Sequence, residues 1–383
     1  MTSFAQMLLY PRRMLRPHFA VATVSCKRTA EMVKDVLQEA QQKSVAAKLS
    51  RAQEALLYDM ELPLRATFYP LGFAIDILTN DPNVLLAAQE SFGHRRLRHG
   101  STTLQIRVGV TASGGEACPP EPTRREYDHL YSLTADTENH AMLDLKTCTS
   151  FVWLNRSAVN NSLYLRYNFL EKVVYLLLGA SVVTDIHAAC ISKAKRGILL
   201  CGDSGAGKST LAYACARAGW TYTSDDTSYL INDSTIPRVI GHSHRLRFRP
   251  AAKELFPELA RYQVTPRMEG KPSIEVWASE LPILSTASEA WVNSVVYLKR
   301  GRYSKSMLVP MPKGTAAERL RKELFSAGEI RRKHEKMLQV LFSTPTFELQ
   351  YHHIEDAIDQ LNLLNKNDQG RNGSAKELQS FAR

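Results

Sequence analysis

Apolar positions along the chain change their period several times, and each change marks an element. From Thr29 to Tyr58 the residues are strong helix formers, and Val33, Val36, Leu37, Ala40, Val45 and Leu49 recur at roughly helical spacing. This pattern predicts one long helix or two shorter ones, a packing or interaction element that Pro63 ends. Residues Leu64 to Ser162 read differently. Ala66 to Ile75, Leu104 to Val110 and Ser150 to Leu154 alternate or run apolar as strands do, and Asn83 to Gly93 reads as a short helix between the first two. A loop with Ser113-Gly114-Gly115 and Pro119-Pro120-Glu121-Pro122 interrupts them.

Arg166 to Leu178 predicts a helix, Val182 to Ile191 a strand, and Lys193 to Gly197 a turn into the short apolar strand Gly197 to Cys201. Lys208 to Gly219 predicts a helix with Gly219 as its stop, followed by the β-prone run Trp220 to Asp226. Further strands are expected at Tyr229 to Ile231, Arg238 to Ile240, Trp291 to Lys299 and Phe347 to Tyr351. Charge-laced helix is expected over Ala316 to Phe342 and a last helix over Ile354 to Leu364. The segment His244 to Pro250 alternates basic with apolar residues. It reads equally as a charged edge strand or as a place where an arginine meets a phosphate or an acidic substrate.

The expected fold class is therefore α/β (α+β), with four stretches. They are a basic arm with a helical segment (1–62), an α+β accessory domain without visible chemistry (63–180), a second α/β domain (181–364), and a polar tail (365–383) expected to be disordered.

At 383 residues the chain can hold two or three domains, and 44% hydrophobic with 23% charged residues is ordinary for a globular protein. Forty-nine Lys and Arg against 38 Asp and Glu give a net charge of +11, spread along the chain and not gathered into one basic run. That charge suits polyanionic partners but, so spread, is only weak evidence for nucleic acid, which is not the expected partner, and is compatible with a nucleotide or an acidic peptide. The six cysteines form no C-x-x-C pair, so a reducing cytoplasm is the expected compartment. No stretch approaches 18 uninterrupted apolar residues, so no membrane span is expected. The first thirty residues carry Arg12, Arg13, Arg16, Lys27 and Arg28 with no acid before Glu31, but they lack the apolar core of a signal sequence. They read as a basic arm.

The strongest chemical signal is Gly202-Asp203-Ser204-Gly205-Ala206-Gly207-Lys208-Ser209, which has the spacing G-x-x-x-x-G-K-[ST] of a phosphate-binding loop and continues into Thr210. A strand is expected before it and a helix after it, so backbone N–H groups and the helix N-terminus face the phosphates of a nucleotide. Lys208 then reaches the β- and γ-phosphates and Ser209 faces Mg²⁺. One helix later come Asp225 and Asp226 at the end of a β-prone run, expected to return as a strand beside the one before the loop, where a metal ligand and a general base are needed. His187 precedes the loop inside an apolar run, where a histidine alone is more often part of the core.

Taken together, His187, the Gly202 to Ser209 loop and the Asp225-Asp226 pair resemble the catalytic domain of the HPr kinase/phosphorylase family, and more closely its HPr-kinase-related relatives. The resemblance covers Asp185 to about Leu364. It implies the phosphate-loop kinase fold related also to phosphoenolpyruvate carboxykinase, with ATP and Mg²⁺ as cofactors. It also implies transfer of a phosphoryl group to a hydroxyl, expected to be a serine, of a protein, peptide or small molecule. The family's catalytic histidine, lysine and aspartate fall on His187, Lys208 and Asp226, and its metal ligand on Ser209; Asp225 is the expected second metal residue. Ser209-Thr210 stands where the HPr enzymes typically carry Ser-Glu, and the later Glu-x-Arg-Gly-Leu-Gly stretch is absent. Kinase chemistry is thus expected over phosphorolysis, on a substrate other than HPr. Gly270-Lys271 and the final strand and helix look like features of the related kinases. A nucleotide-binding regulator without phosphotransfer is the alternative, and the choice of donor, the acceptor and a homo-oligomeric state stay open.

Overall fold

The computed structural model describes residues 60–100, 104–115, 117–232, 234–264, 272–281, 284–324 and 328–366. The basic arm, the helix expected over Thr29 to Tyr58, Gly270-Lys271 and the tail from 367 lie outside the described residues. The described chain is mixed α/β and divides into two compact units between Val182 and Val183.

The first unit holds one seven-stranded sheet. Its strands are β1 (Leu64–Phe68), β2 (Ile75–Thr79), β3 (Leu104–Thr111), β4 (Thr123–Tyr127), β5 (Leu130–Thr134), β6 (His140–Asp144) and β7 (Thr149–Asn155), in the order β1-β2-β3-β7-β6-β5-β4. The parallel step from β2 to β3 needs a crossover, supplied by helix α1 (Pro82–Phe92). Asp81 starts that helix by accepting the Asn83 N–H at 2.9 Å, and Pro82 takes the first position, where no N–H is needed. The single strand expected from Ala66 to Ile75 is two strands, because Pro70–Gly72 forms a tight turn in which Leu71 has φ +53°. The helix expected from Arg166 opens as a wide turn over Arg166–Leu170 and becomes regular in α2 (Glu171–Ser181).

The second unit is built on a ten-stranded sheet. Strands β8 (Val183–Ile186), β9 (Ala189–Lys193), β10 (Arg196–Cys201), β11 (Thr221–Ser224), β12 (Ser228–Ile231) and β13 (Arg238–Gly241) are joined by β16 (Ser285–Thr286), β17 (Glu289–Arg300), β18 (Met307–Pro310) and β19 (Thr346–Tyr351). The path runs β16-β11-β9-β10-β17-β13-β12-β8, and β19 pairs with both β17 and β18. A separate ribbon pairs β14 (Arg245–Phe248) with β15 (Ile274–Trp277). The longer helices are α3 (Lys208–Arg217), α4 (Lys313–Glu323), α5 (Gly328–Leu341) and α6 (354–366). The helix expected over Ala316 to Phe342 is thus two helices, α4 and α5, and α6 runs two residues past Leu364.

Within β10 the run Ile198 to Cys201 is apolar for a structural reason. Ile198 and Leu200 pack with Leu211, Tyr213 and Trp220 on one face, while Leu199 and Cys201 pack with Leu320, Leu338 and Leu341 on the other. Alternate side chains point to opposite faces, so a sheet covered on both sides leaves no position for a polar residue. Two expectations change here. The run Val182 to Ile191 is not one strand; it breaks at His187-Ala188, and β8 pairs with β12 whereas β9 pairs with β10. Strand β11 does not return beside β10 either. The hairpin strand β9 lies between them, and the parallel neighbour of β10 is β17.

Gly241 ends β13 against the backbone of β11: a Cβ there would lie 2.2 Å from the Thr223 carbonyl oxygen and 2.7 Å from the Ser224 Cβ. No flexible side chain can give way at that contact. Gly241→Ala is expected to lower stability by about 1–3 kcal/mol, the usual cost of forcing a methyl group into packed structure. A urea unfolding midpoint equal to that of the parent would refute the close approach.

Candidate functional site

Strand β10 ends at Cys201, and the chain then turns through three glycines with positive φ: Gly202 at +149°, Gly205 at +90° and Gly207 at +95°. Other residues rarely adopt these angles. Two further contacts fix the turn. A Cβ on Gly202 would meet the Leu298 carbonyl at 3.2 Å, and one on Gly207 would meet the Tyr351 hydroxyl at 2.7 Å. That hydroxyl donates to the Ala206 carbonyl at 2.9 Å, so strand β19 holds the loop from the side. Asp203, Ser204 and Gly205 are exposed or half-buried at the tip, Ala206 and Gly207 are half-buried, and Ser209 and Thr210 lie half-buried in the first turn of α3.

Lys208 is 6% exposed, and its ammonium donates to the carbonyl oxygens of Gly202 at 2.6 Å and Asp203 at 3.2 Å. Burial pulls its pKa below the ordinary lysine value, opposed by the negative charges of Asp226, Glu323 and Asp203. The loop lysine is thus curled onto its own loop.

The second part of the site is the corner that joins β11 to β12. Ser209 Oγ donates to the Asp225 carbonyl at 3.3 Å, which ties the first turn of α3 to this corner. The Asp225 carboxylate accepts the Arg247 N–H at 2.8 Å and lies against the Tyr222 hydroxyl, which also reaches the Arg245 carbonyl at 3.3 Å. Burial, reinforced by the adjacent Asp226 charge, pushes Asp225 up to about 7. Asp226 is the more accessible of the two, with its side chain 21% exposed.

His187 sits in the break between β8 and β9, and the break is what delivers it. Its Nδ1 donates to the Asp226 carbonyl at 3.0 Å and lies 3.6 Å from the Asp226 carboxylate. Burial and the Lys208 charge push it down to about 4, so the ring is neutral at physiological pH with the proton on Nδ1. Its buried Nε2 makes no hydrogen bond among the described residues and carries the lone pair. His187, Lys208, Ser209, Asp225 and Asp226 are therefore brought to one place, and the loop Gly202 to Gly207 edges it.

Two contributors carry no signal of their role in the sequence. Tyr351 reads there only as the end of a strand, and nothing in its neighbours announces a contact with Ala206. Glu323, at the end of α4, stands in a charge-laced helix that reads as solvated; burial pushes its carboxyl up to about 7 while Lys208 pulls it down. Helix α4 itself is anchored to the sheet by the Tyr297 hydroxyl, which donates to the Ala316 carbonyl at 2.8 Å.

The pH response of two site residues has opposite signs. His187 titrates near 4 when folded against 6.5 ordinarily, so the unfolded chain takes up a proton that the folded protein refuses. Its contribution to stability is present above pH 6.5 and is lost as pH falls toward 4. Asp225 is raised from 3.8 to about 7, so its contribution is lost as pH rises across that window. Because the two partly cancel in the parent protein, the comparison between variants is the informative one. His187→Gln is expected to gain stability relative to the parent, and Asp225→Asn to lose it, as pH is lowered from 6.5 to 4, read from urea midpoints at each pH. Parallel profiles for all three proteins would contradict these assignments.

No family model matches the chain, and no curated protein matches it. Among solved structures it is similar to the Hpr(Ser) kinase/phosphatase from Coxiella burnetii, at 11% identity and a TM-score of 0.30, over 50% of this chain and 97% of that one. A likeness of that grade carries no argument about activity, and the functional reading rests on the residues of the site itself.

Proposed function

We propose that the chain is an ATP-dependent kinase that transfers the γ-phosphoryl group to a hydroxyl, with serine as the acceptor side chain. The observation that carries this reading is the meeting of His187 with Asp226, 3.0 Å from its carbonyl and 3.6 Å from its carboxylate, beside a glycine loop. The lysine of that loop is folded onto it, and its first helical turn is tied to the same acidic corner through Ser209. Phosphoryl transfer asks for positioning and charge neutralisation more than for covalent chemistry, and these residues supply both.

The fit of a nucleotide is supported by the loop. Its glycines remove the side chains that would crowd the backbone, and its tip reaches solvent. Lys208 leaves two carbonyl acceptors in exchange for phosphate oxygens, which carry full negative charge and hold an ammonium more strongly. For Mg²⁺ the residues would be Ser209, whose hydroxyl meets the Asp225 main-chain carbonyl at 3.3 Å, and Asp225, whose carboxylate would have to turn from the Arg247 N–H to reach the ion. A cation held by one or two protein oxygens together with phosphates and water is the usual arrangement for this ion. Bound there, Mg²⁺ would neutralise charge on the phosphates and favour the ionised form of Asp225.

Asp226 accepts the proton of the attacking hydroxyl. His187 orients it, since the Nδ1–H bond to the Asp226 carbonyl fixes the residue's backbone beside the carboxylate. Lys208 neutralises the charge that develops on the transferred group.

The test compares the parent with Asp226→Asn and Lys208→Ala. Titration with a non-hydrolysable ATP analogue and Mg²⁺ measures binding, and mass spectrometry of a cell extract incubated with ATP and Mg²⁺ reads transfer. Asp226→Asn is expected to bind the analogue within about threefold of the parent and to lose transfer by about 10²-fold or more, the usual scale for a positioned base. Lys208→Ala is expected to lose both. Parent protein that binds the analogue and phosphorylates nothing would favour a nucleotide-binding regulator; equal loss of binding in the two variants would remove the separate roles given to them.

A further inference from the structure

The β14–β15 ribbon has two unlike faces. Leu246, Phe248, Ile274 and Val276 are at most 1% exposed, and Phe248 packs on Tyr213 of α3 with ring centroids 5.0 Å apart. On the opposite face stand the cross-strand partners Arg245 with Trp277 and Arg247 with Glu275, all half-buried. The Arg245 guanidinium lies 4.9 Å from the centre of the Trp277 ring, and both arginines share the Glu275 carboxylate, at 3.6 and 3.1 Å. Two guanidinium groups against one carboxylate leave the balance of these four residues positive.

The face meets the Asp225-Asp226 corner at one end and approaches β11 at the other. Arg247 donates its backbone N–H to Asp225 at 2.8 Å. At the other end Gly241 presses on Thr223 and Ser224, and the next residue, His242, begins the turn that leads into β14. From there a row of rings follows: His242, which packs on the buried Tyr229 at 5.6 Å, lies 5.9 Å from His244, and His244 lies 5.7 Å from Trp277. His242, His244 and Trp277 are half-buried.

We propose that this row and the Arg245–Arg247–Glu275 cluster form the acceptor-recognising surface of the kinase, and that the acceptor is an extended peptide segment with an acidic residue close to its serine. The inference rests on the phosphotransfer reading for the word acceptor, while the surface itself stands on its own geometry. Half-buried rings spaced 5.9 and 5.7 Å apart come near the repeat of a strand-like segment, whose same-face side chains recur every ~6.6–7 Å, whereas a compact metabolite is held in a concave pocket. Aromatic rings give a rigid apolar platform for the segment. The Arg245 guanidinium takes the carboxylate, for which a planar fork is well shaped. The chain's +11 balance draws the same kind of partner.

Binding is measured apart from transfer. Fluorescein-labelled peptides of about seven residues, enough to lay one face of an extended strand along the row, carry a central serine flanked by Asp, by Asn or by Lys. Their anisotropy is followed with the full chain in the presence of a non-hydrolysable ATP analogue and Mg²⁺. The Asp peptide is expected to bind about tenfold more tightly than the Asn peptide, the scale of one charge-assisted bond, and the Lys peptide more weakly than either. Arg245→Gln is expected to erase the difference between Asp and Asn while leaving analogue affinity unchanged. Arg245→Lys keeps the charge but not the fork or the stacking, and is expected to restore part of it. Thermal melts verify that both variants fold.

Equal affinity for the Asp and Asn peptides, no binding of the Asp peptide at millimolar concentration, or full acidic preference in Arg245→Gln would each overturn the proposal. A free hydroxy-dicarboxylate such as malate that displaces the Asp peptide at equal concentration would overturn the peptide source. If the acidic peptide binds as expected and no phosphoryl group reaches it, the surface stands and the phosphotransfer reading fails. If serine is phosphorylated without regard to flanking charge, the reading stands and the surface fails.

Discussion

A lysine ammonium removed from water must be surrounded by oxygen, and much of the second unit is arranged around that requirement. Lys208 is buried with its charge resolved by two main-chain carbonyls of its own loop. Those carbonyls can turn inward only because Gly202, Gly205 and Gly207 take angles that side chains forbid. The glycine turns in their place are held from outside by the Tyr351 hydroxyl on β19. The sheet order follows the same logic: β17 lies parallel to β10 and carries β19 on its far half, which sets the Tyr351 hydroxyl beside the loop. A buried cation thus accounts for the loop, the loop for its glycines, and the glycines for the strands that brace them.

The acidic corner is organised by a different cost. Two adjacent carboxylates repel each other, and burying both charged would be expensive. The chain separates them by environment. Asp225 is turned inward to a backbone amide and a tyrosine and titrates near neutrality, whereas Asp226 stays partly in solvent. His187 completes the division by engaging the main chain of the second aspartate and remaining neutral. Two neighbouring carboxylates of one corner thereby stand in unlike surroundings.

What can be read from the amino-acid order follows the range of the forces involved. The apolar run Gly197 to Cys201, the helix from Lys208 and the strand before Asp225 are local signals, and the structure has a strand, a helix and a strand there. The glycine spacing of the loop is local too, since it records dihedral angles. His187 shows the limit. Its apolar neighbours read as one strand because β8 and β9 are each half of a buried pattern, and only the pairing of each half with a different neighbour reveals the break. Tyr351 and Glu323 are invisible as site residues because their meaning lies in contacts with the loop, far away in the chain. The pairing of β10 with β17 is equally hidden, for strand order depends on which crossover closes best and leaves no periodic trace.

The contact between Tyr351 and Ala206 spans 145 residues. During synthesis the loop emerges long before the strand that braces it, so β10, the glycine turn and α3 exist for a time without their lateral support. The hydrogen bond that braces the loop is thus a contact of long sequence separation, which can form only once β19 has been made. A chain cut short anywhere between the loop and Tyr351 carries every residue of the glycine motif and lacks the hydroxyl that holds it in place.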